Sequence, residues 1–222
     1  FELVTSDMAG HLVNPQIETE IFYLKPSIWS ALYRRDFLKA NSIRFLETPG
    51  ASFQDSSFNF KVWATATKAY YIQDEILHYR QDNESSSINS PSKVYCVCDE
   101  YAEMDRFLAS HPEKVSLKAV EEKMKYDTYM WNYERLTEPL RRQFIVRFAE
   151  EFQRDIKSQY VDLDIFDPWK KDDLAVMLSD PMLFHAQRES PEEEGYGKKL
   201  VRFYHIGGPS LVLRALWRKI RR

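Results

Sequence analysis

Residues 138–160 read EPLRRQFIVRFAEEFQRDIKSQY, in which apolar and charged residues recur at the spacing of an amphipathic helix. Proline is tolerated in the first turn of a helix but not in its interior, so Pro139 predicts where this helix begins. The same kind of spacing occurs in three more charged segments, 94–110, 115–135 and 171–178. These patterns predict a helical region over residues 93–222.

The first part of the chain has a more mixed pattern. Residues 34–40 predict an extended stretch that runs into a short helix, which Asn41 is placed to end. Apolar residues at helical spacing predict a second helix over 55–69, and residues 70–79 predict a strand. We therefore expect an α+β fold that is predominantly α-helical, with an α/β segment over residues 1–92 followed by the helical region.

The composition bounds the class of protein. With 222 residues, of which 44% are hydrophobic, the chain can bury a sizeable core. Its 31 basic and 34 acidic residues give a formal charge of −3, and we expect no nucleic-acid partner. Cys96 and Cys98 flank one valine, a spacing that suits neither a disulfide nor, without a second pair, a zinc site. With no secretion leader and no apolar run of about 18 residues, we expect a cytoplasmic protein.

Four stretches of the first part identify a family. They read PSIWSALYRRDFL (26–38), IRFLE (43–47), GASFQDSSFNFK (50–61) and HYRQDNESSS (78–87). This succession resembles the acceptor-side half of a bacterial family 2 glycosyltransferase, whose catalytic domain has the GT-A fold. The resemblance implies that residues 1–92 are the acceptor-side part of such a domain. It also implies an inverting, nucleotide-sugar-dependent transferase (hexosyltransferase type) that acts in the synthesis of cell-surface polysaccharide or glycan.

Asp55 stands where this family has its catalytic carboxylate. An inverting sugar transferase needs one carboxylate that removes a proton from the acceptor hydroxyl as it attacks the anomeric carbon. The family commonly has an acidic Glu-Asp pair here, and in this chain the first member is Gln54. From the residues alone, an Asp followed by Ser-Ser and a helical stripe is also typical of a helix N-cap.

The resemblance also implies substrate-binding residues. Trp29 begins the aromatic and basic stretch, where its ring could stack on a sugar, although core packing is the alternative. Arg80, with Asn83 and Ser86, matches a family element close to the donor diphosphate or the acceptor. The planar fork of arginine suits phosphate oxygens, while the alternative is an arginine at a strand end that pairs with a surface acid.

The donor half of the family is not found in this sequence. In family members, a nucleotide-binding βαβ region ends in an Asp-x-Asp motif that holds a divalent metal on the donor diphosphate. Mg²⁺ or Mn²⁺ is thus expected in a full-length enzyme, with no ligands in this chain, which alone is expected to be inactive. The letters Asp162-Leu163-Asp164 spell the motif, but they lie downstream among the helices, and we reject them as a metal site. The expected partners are a nucleotide-sugar donor and a glycan or lipid-linked acceptor.

The chain ends in a basic amphipathic segment, Ser210 to Arg222. Its apolar residues fall at i, i+3, i+4 and i+7: Leu213, Leu216, Trp217 and Ile220. Five cations share the segment: Arg214, Arg218, Lys219, Arg221 and Arg222. This pattern is typical of a terminal helix that packs its stripe on the protein body, and also of a helix that contacts an anionic membrane surface at the inner face. Both interpretations stay open from the sequence. For the whole chain, the alternative to a transferase is a noncatalytic helical interaction or membrane-docking module.

Overall fold

The computed structural model describes residues 4–47, 53–74, 77–78, 93–190 and 195–220, with side chains omitted for 218–220. The chain divides into two compact units, Phe1–Tyr129 and Met130–Arg222. The predicted junction near residue 92 lies outside the described residues, and the predicted division into domains stays a prediction.

The first unit contains helices and one small sheet. Strands β1 (Leu12–Val13) and β2 (Ala69–Tyr70) pair antiparallel, with Leu12 opposite Tyr70. The helices are α1 (Arg35–Ala40), α2 (Gln54–Thr65), α3 (Cys96–Ser110) and α4 (Lys118–Arg135), the last of which continues into the second unit. Short 3-10 helices lie at Thr19–Tyr23, Ile28–Ser30 and Pro112–Leu117.

Helix α2 is the centre of the first unit because it is buried along most of its length. One apolar cluster joins Phe58 and Val62 of α2 to Ile43, and Ile28 and Tyr33 pack against it. The Phe58 ring also stacks on Phe45, with 4.1 Å between ring centroids. Helix α3 packs against α2 as well. The start of α2 is therefore held in place by packing from several segments.

The second unit is helical throughout its described elements. The helices are α5 (Glu138–Lys157), α6 (Pro168–Ser179), α7 (Pro181–Arg188) and α8 (Tyr196–Ile220), with a 3-10 helix at Leu163–Ile165. Helices α5, α6 and α7 each carry a proline in the first turn, where its missing N–H costs no hydrogen bond. Fully buried phenylalanines form the inner face of α5: Phe144, Phe148 and Phe152.

Helix α8 is kinked in the middle. Gly208 has φ 67° and ψ −167°, a conformation that residues with a Cβ rarely adopt, and Pro209 follows it. Phe203 before the kink and Leu211 after it both pack on Leu183 and Ala186 of α7. None of the helices in the described part of the chain combines the length and the apolar character that crossing a bilayer requires.

The predominantly helical character predicted from the sequence is confirmed, but the GT-A-like α/β segment is not supported. The only sheet among the described residues is the two-stranded pair of β1 and β2. The strand predicted over 70–79 is wrong for its described residues, of which only Tyr70 belongs to a strand, while residues 71–74 and 77–78 have no regular structure. A strand needs a hydrogen-bonding partner, and β1 offers only two residues. Helix α7 was not predicted.

Candidate functional site around Asp55

Helix α2 begins just after a residue in the left-handed conformation. Phe53 flanks the helix with φ 63° and ψ 5°, and Gln54 is the first helical residue. Asp55 is therefore the second residue of the helix, and its assignment as the N-cap is wrong. Its carboxyl group still lies in the first turn, where backbone amides point out of the helix end.

Gln54 connects the start of α2 to the segment before it. Its side-chain Nε2 donates a hydrogen bond to the Leu46 carbonyl oxygen at 3.1 Å. An ionised glutamate at this position would have no hydrogen to donate. Gln54, which stands where the resembled family has an acidic residue, therefore attaches the segment before α2 to the start of the helix.

Burial dominates the electrostatics of Asp55. The side chain is half-buried, and this raises the pKa of its carboxyl group above the ordinary value. The backbone amides of Asp55 and Ser56 and the charge of Lys25 oppose the rise without cancelling it. A helix N-terminus by itself would lower the pKa, so the raised value comes from the surroundings of the helix.

Tyr33 lies close to Asp55 and is held in a defined position. Its hydroxyl donates a hydrogen bond to the Asn59 Oδ1 atom at 3.1 Å, and its ring meets the edge of Phe58. Burial, and then the charge of Asp55, raise the pKa of Tyr33 to about 12. The phenol therefore remains protonated near neutral pH, as a hydrogen-bond donor.

Glu100 is a second acidic group at this helix end, and the sequence analysis missed it. Its side chain on α3 has no solvent exposure, and its Oε2 atom accepts the Ser57 backbone N–H at 3.2 Å. Its Oε1 atom has no hydrogen-bond partner among the described residues. Burial, and to a smaller extent the charge of Asp55, raise the pKa of Glu100 to about 7. A glutamate on the apolar stripe of α3, beside Val97 and Met104, was the available sequence signal.

The other predicted site residues have different outcomes. Trp29 lies on the 3-10 helix Ile28–Ser30 and is 37% exposed, so its ring is not sealed in the core. Ile28, its neighbour, packs on the cluster that contains Phe58. Arg80, Asn83 and Ser86 lie outside the described residues. The structure thus brings Asp55, Tyr33 and Glu100 together, and the predicted arginine element stays a prediction.

Lys61 of α2 is held by hydrogen bonds to neighbouring segments. Its ammonium donates to the Arg44 carbonyl oxygen at 2.7 Å and to Glu103 Oε1 at 3.0 Å. The residue is only 6% exposed. These contacts connect α2 to α3 and to the segment before α2.

The described residues offer one group of three or more potential metal ligands, and it does not fit a metal site. The carboxylate atoms of Asp105, Glu121 and Glu122 lie within 4.8 Å of one another. The Lys118 ammonium is already bound by all three, at 2.5 Å from Glu121 and 2.7 Å from Glu122. The Lys118 ammonium therefore already occupies the place between these carboxylates that a cation would take. Asp162, which we rejected from the sequence, accepts the Asp164 amide at 2.9 Å and caps a 3-10 helix.

The second unit has its own cleft with a hydrogen-bonded chain behind it. Glu138 and Arg142 of α5 line this cleft together with residues of α8. Buried His185 lies between the Tyr133 hydroxyl, 2.7 Å from Nδ1, and the Glu138 carboxylate, 3.3 Å from Nε2. Burial lowers the pKa of His185, and a neutral ring that accepts from Tyr133 carries its proton on Nε2. The chain connects α4, α5 and α7.

Comparisons of the chain with models of protein families, with curated protein sequences and with solved structures found no match. Asp55 lies at a helix start, is half-buried and has a raised pKa. In its ionised form it can accept a proton from a hydroxyl group that lies next to it.

Proposed function

We propose that this chain is the acceptor-side and C-terminal part of an inverting, nucleotide-sugar-dependent glycosyltransferase that acts in the synthesis of cell-surface polysaccharide or glycan. Asp55 is the general base of the proposed reaction. The acceptor oxygen bonds to the anomeric carbon, the bond from that carbon to the donor diphosphate breaks, and the acceptor proton passes to Asp55. Trp29 provides a surface for a sugar ring, and Arg80, Asn83 and Ser86 contact donor or acceptor.

The environment of Asp55 is the observation that carries this proposal. A base is most effective when its pKa lies near the working pH, whereas a carboxylate in the first turn of an exposed helix has a lowered pKa. Half-burial reverses this effect at Asp55. The side chain is neither sealed in the interior nor turned fully to solvent, so a hydroxyl group can approach it.

Other parts of the reaction are assigned outside this chain. The nucleotide and any Mg²⁺ or Mn²⁺ on the diphosphate belong to the donor half of the proposed enzyme. The lysine-filled acidic cluster of the first unit does not fit a metal site.

The test uses the full-length protein that contains this chain, with a panel of uridine, guanosine and thymidine diphosphate sugars. Nucleoside diphosphate release reports both donor hydrolysis and transfer. Asp55→Asn keeps the shape of the side chain but removes the base, so we expect turnover to fall by at least about 100-fold. Circular dichroism and the urea midpoint should remain close to those of the wild type.

Asp36→Asn is the matched control, because Asp36 also lies in the first turn of a helix and its side chain is 76% exposed. We expect this variant to retain full turnover. Equal turnover in wild type and Asp55→Asn would overturn the assignment of the base. If no donor is consumed by the wild type while Asp55→Asn changes only helix stability, the noncatalytic interaction module is the better description.

A further inference from the structure

Positive charge in this chain is concentrated in its last 27 residues. From Tyr196 to Arg222 the sequence has eight Lys and Arg residues and no Asp or Glu. The preceding 195 residues therefore hold 23 of the 31 basic residues and all 34 acidic residues, a formal charge of −11. A segment of uniform positive charge on an acidic protein attracts an anionic partner locally.

The packing of α8 leaves two large apolar side chains exposed after the kink. Leu211 is fully buried, and Val212 and Ala215 pack on the same cluster. Leu213 is 66% exposed and Trp217 is 58% exposed. The face that packs on the second unit is therefore not the Leu213–Trp217 face.

An ion pair helps to hold α8 in this orientation. The Nε atom of Arg214 lies 2.5 Å from Asp180 Oδ2, and the other oxygen of Asp180 accepts the Leu183 amide at the start of α7. Rotation of α8 that buried Leu213 would break this pair and expose Leu211. The outward position of Leu213 and Trp217 is therefore coupled to the core of the unit.

We propose that the part of α8 after the kink docks on the surface of an anionic lipid bilayer. Trp217 and Leu213 enter the interfacial layer, and the basic residues up to Arg222 contact lipid phosphates. A tryptophan beside long cationic side chains is typical of helices that lie in the bilayer interface. Two exposed apolar residues support reversible surface binding and not insertion across the membrane. This proposal does not require the transferase assignment.

The experiment is flotation of the 222-residue chain with two kinds of vesicle. One contains phosphatidylcholine alone and the other contains phosphatidylcholine with phosphatidylglycerol. We expect binding to the anionic vesicles only, and loss of binding in high salt because exposed charges are then screened. Replacing Arg218, Arg221 and Arg222 by Gln should weaken binding by on the order of 100-fold.

Trp217→Ala tests the apolar contact, and Trp169→Ala is its matched control. Trp169 lies on α6 and is 57% exposed, nearly the same as Trp217, so both variants should fold like the wild type by circular dichroism. We expect Trp217→Ala to weaken binding by roughly 10-fold or more and Trp169→Ala to leave it unchanged. Absence of wild-type binding, equal binding to neutral vesicles or equal loss in both variants would overturn the proposal. Binding to polyglutamate but not to vesicles would indicate an acidic protein partner and would also overturn it.

Discussion

At the scale of single residues, Glu100 has an environment that is unusual for a glutamate. Its carboxyl group has no solvent exposure and is held by the Ser57 amide, without a cation in direct contact among the described residues. Removing a charge from water is costly, so the neutral form is favoured. The native protein therefore keeps a proton on Glu100 at pH values where the unfolded chain has lost it.

We predict that Glu100→Gln removes a pH-dependent loss of stability. The pKa of Glu100 rises from 4.5 to about 7 on folding, so the native state binds more protons than the unfolded state in that range. Wild-type stability should fall as the pH rises through it, by roughly 3 kcal/mol in total. Urea unfolding at pH 5 and pH 8 should show this fall in the wild type and a much smaller one in Glu100→Gln.

Glu103→Gln is the control on the same helix. Burial raises the pKa of Glu103, but the Lys61 ammonium and Arg106 together outweigh it and hold the pKa below the ordinary value. The contribution of Glu103 to stability is therefore present above pH 4.5 and lost as the pH falls below it. This variant should lose roughly 1 kcal/mol at pH 8 and keep the fall seen in the wild type. An unchanged pH dependence in Glu100→Gln would contradict the burial of that carboxyl group.

At the scale of elements, the kink in α8 decides which residues of its second half face the core. Gly208 has no neighbouring atom within 4 Å of the position where a Cβ would lie. A side chain there meets no steric clash with other residues, and the only cost is the backbone conformation at φ 67°.

We predict that Gly208→Ala destabilises the protein by about 1–3 kcal/mol, because alanine is strained in this conformation. Gly197→Ala, near the start of the same helix, is the control. Gly197 has helical geometry and open space, so alanine there should stabilise by about 0.5 kcal/mol. Chemical denaturation of both variants measures the difference. Equal effects of the two substitutions would mean that the kink is not imposed by Gly208.

At the scale of the whole molecule, buried ionisable groups in both units make stability depend on pH. Burial raises the pKa of Glu100 and of Glu121 in the first unit, and it lowers the pKa of His185 in the second. The histidine contributes to stability fully above its unfolded pKa of 6.5, and this contribution is lost as the pH falls through its folded value. Of these three groups, only the two carboxyl groups therefore contribute to the slope of stability against pH above pH 6.5.

We predict that the chain is more stable at pH 6.5 than at pH 8. Between these values the native state loses protons from Glu100 and Glu121, whereas the unfolded chain has already lost them at lower pH. The native state is therefore destabilised relative to the unfolded chain as the pH rises. The melting temperature should fall by a few degrees, measured by differential scanning fluorimetry in buffers of equal ionic strength. A melting temperature that rises over this interval would show that the two carboxyl groups are solvated.

The sequence by itself determined the elements that carry strong local signals. The periodic segments around residues 94–157 became α3, α4 and α5, because an amphipathic repeat stabilises a helix wherever one face can be covered. Pro139 begins a helix as predicted, and the kink of α8 lies at Gly208-Pro209, two residue types that interrupt a helix. The excess of cations in the last 27 residues is visible from the sequence alone.

Only the tertiary structure decided which charged groups are desolvated and which apolar groups are exposed. Periodicity marks residues that share a face, but it does not show which face another element covers. It therefore could not show that Glu100 is buried behind α2, that Asp55 is half-buried, or that Leu211 and not Trp217 packs inward. Proton affinity and surface exposure depend on neighbours distant in the chain, which is why the electrostatics of the candidate site and the exposed face of α8 came from the fold.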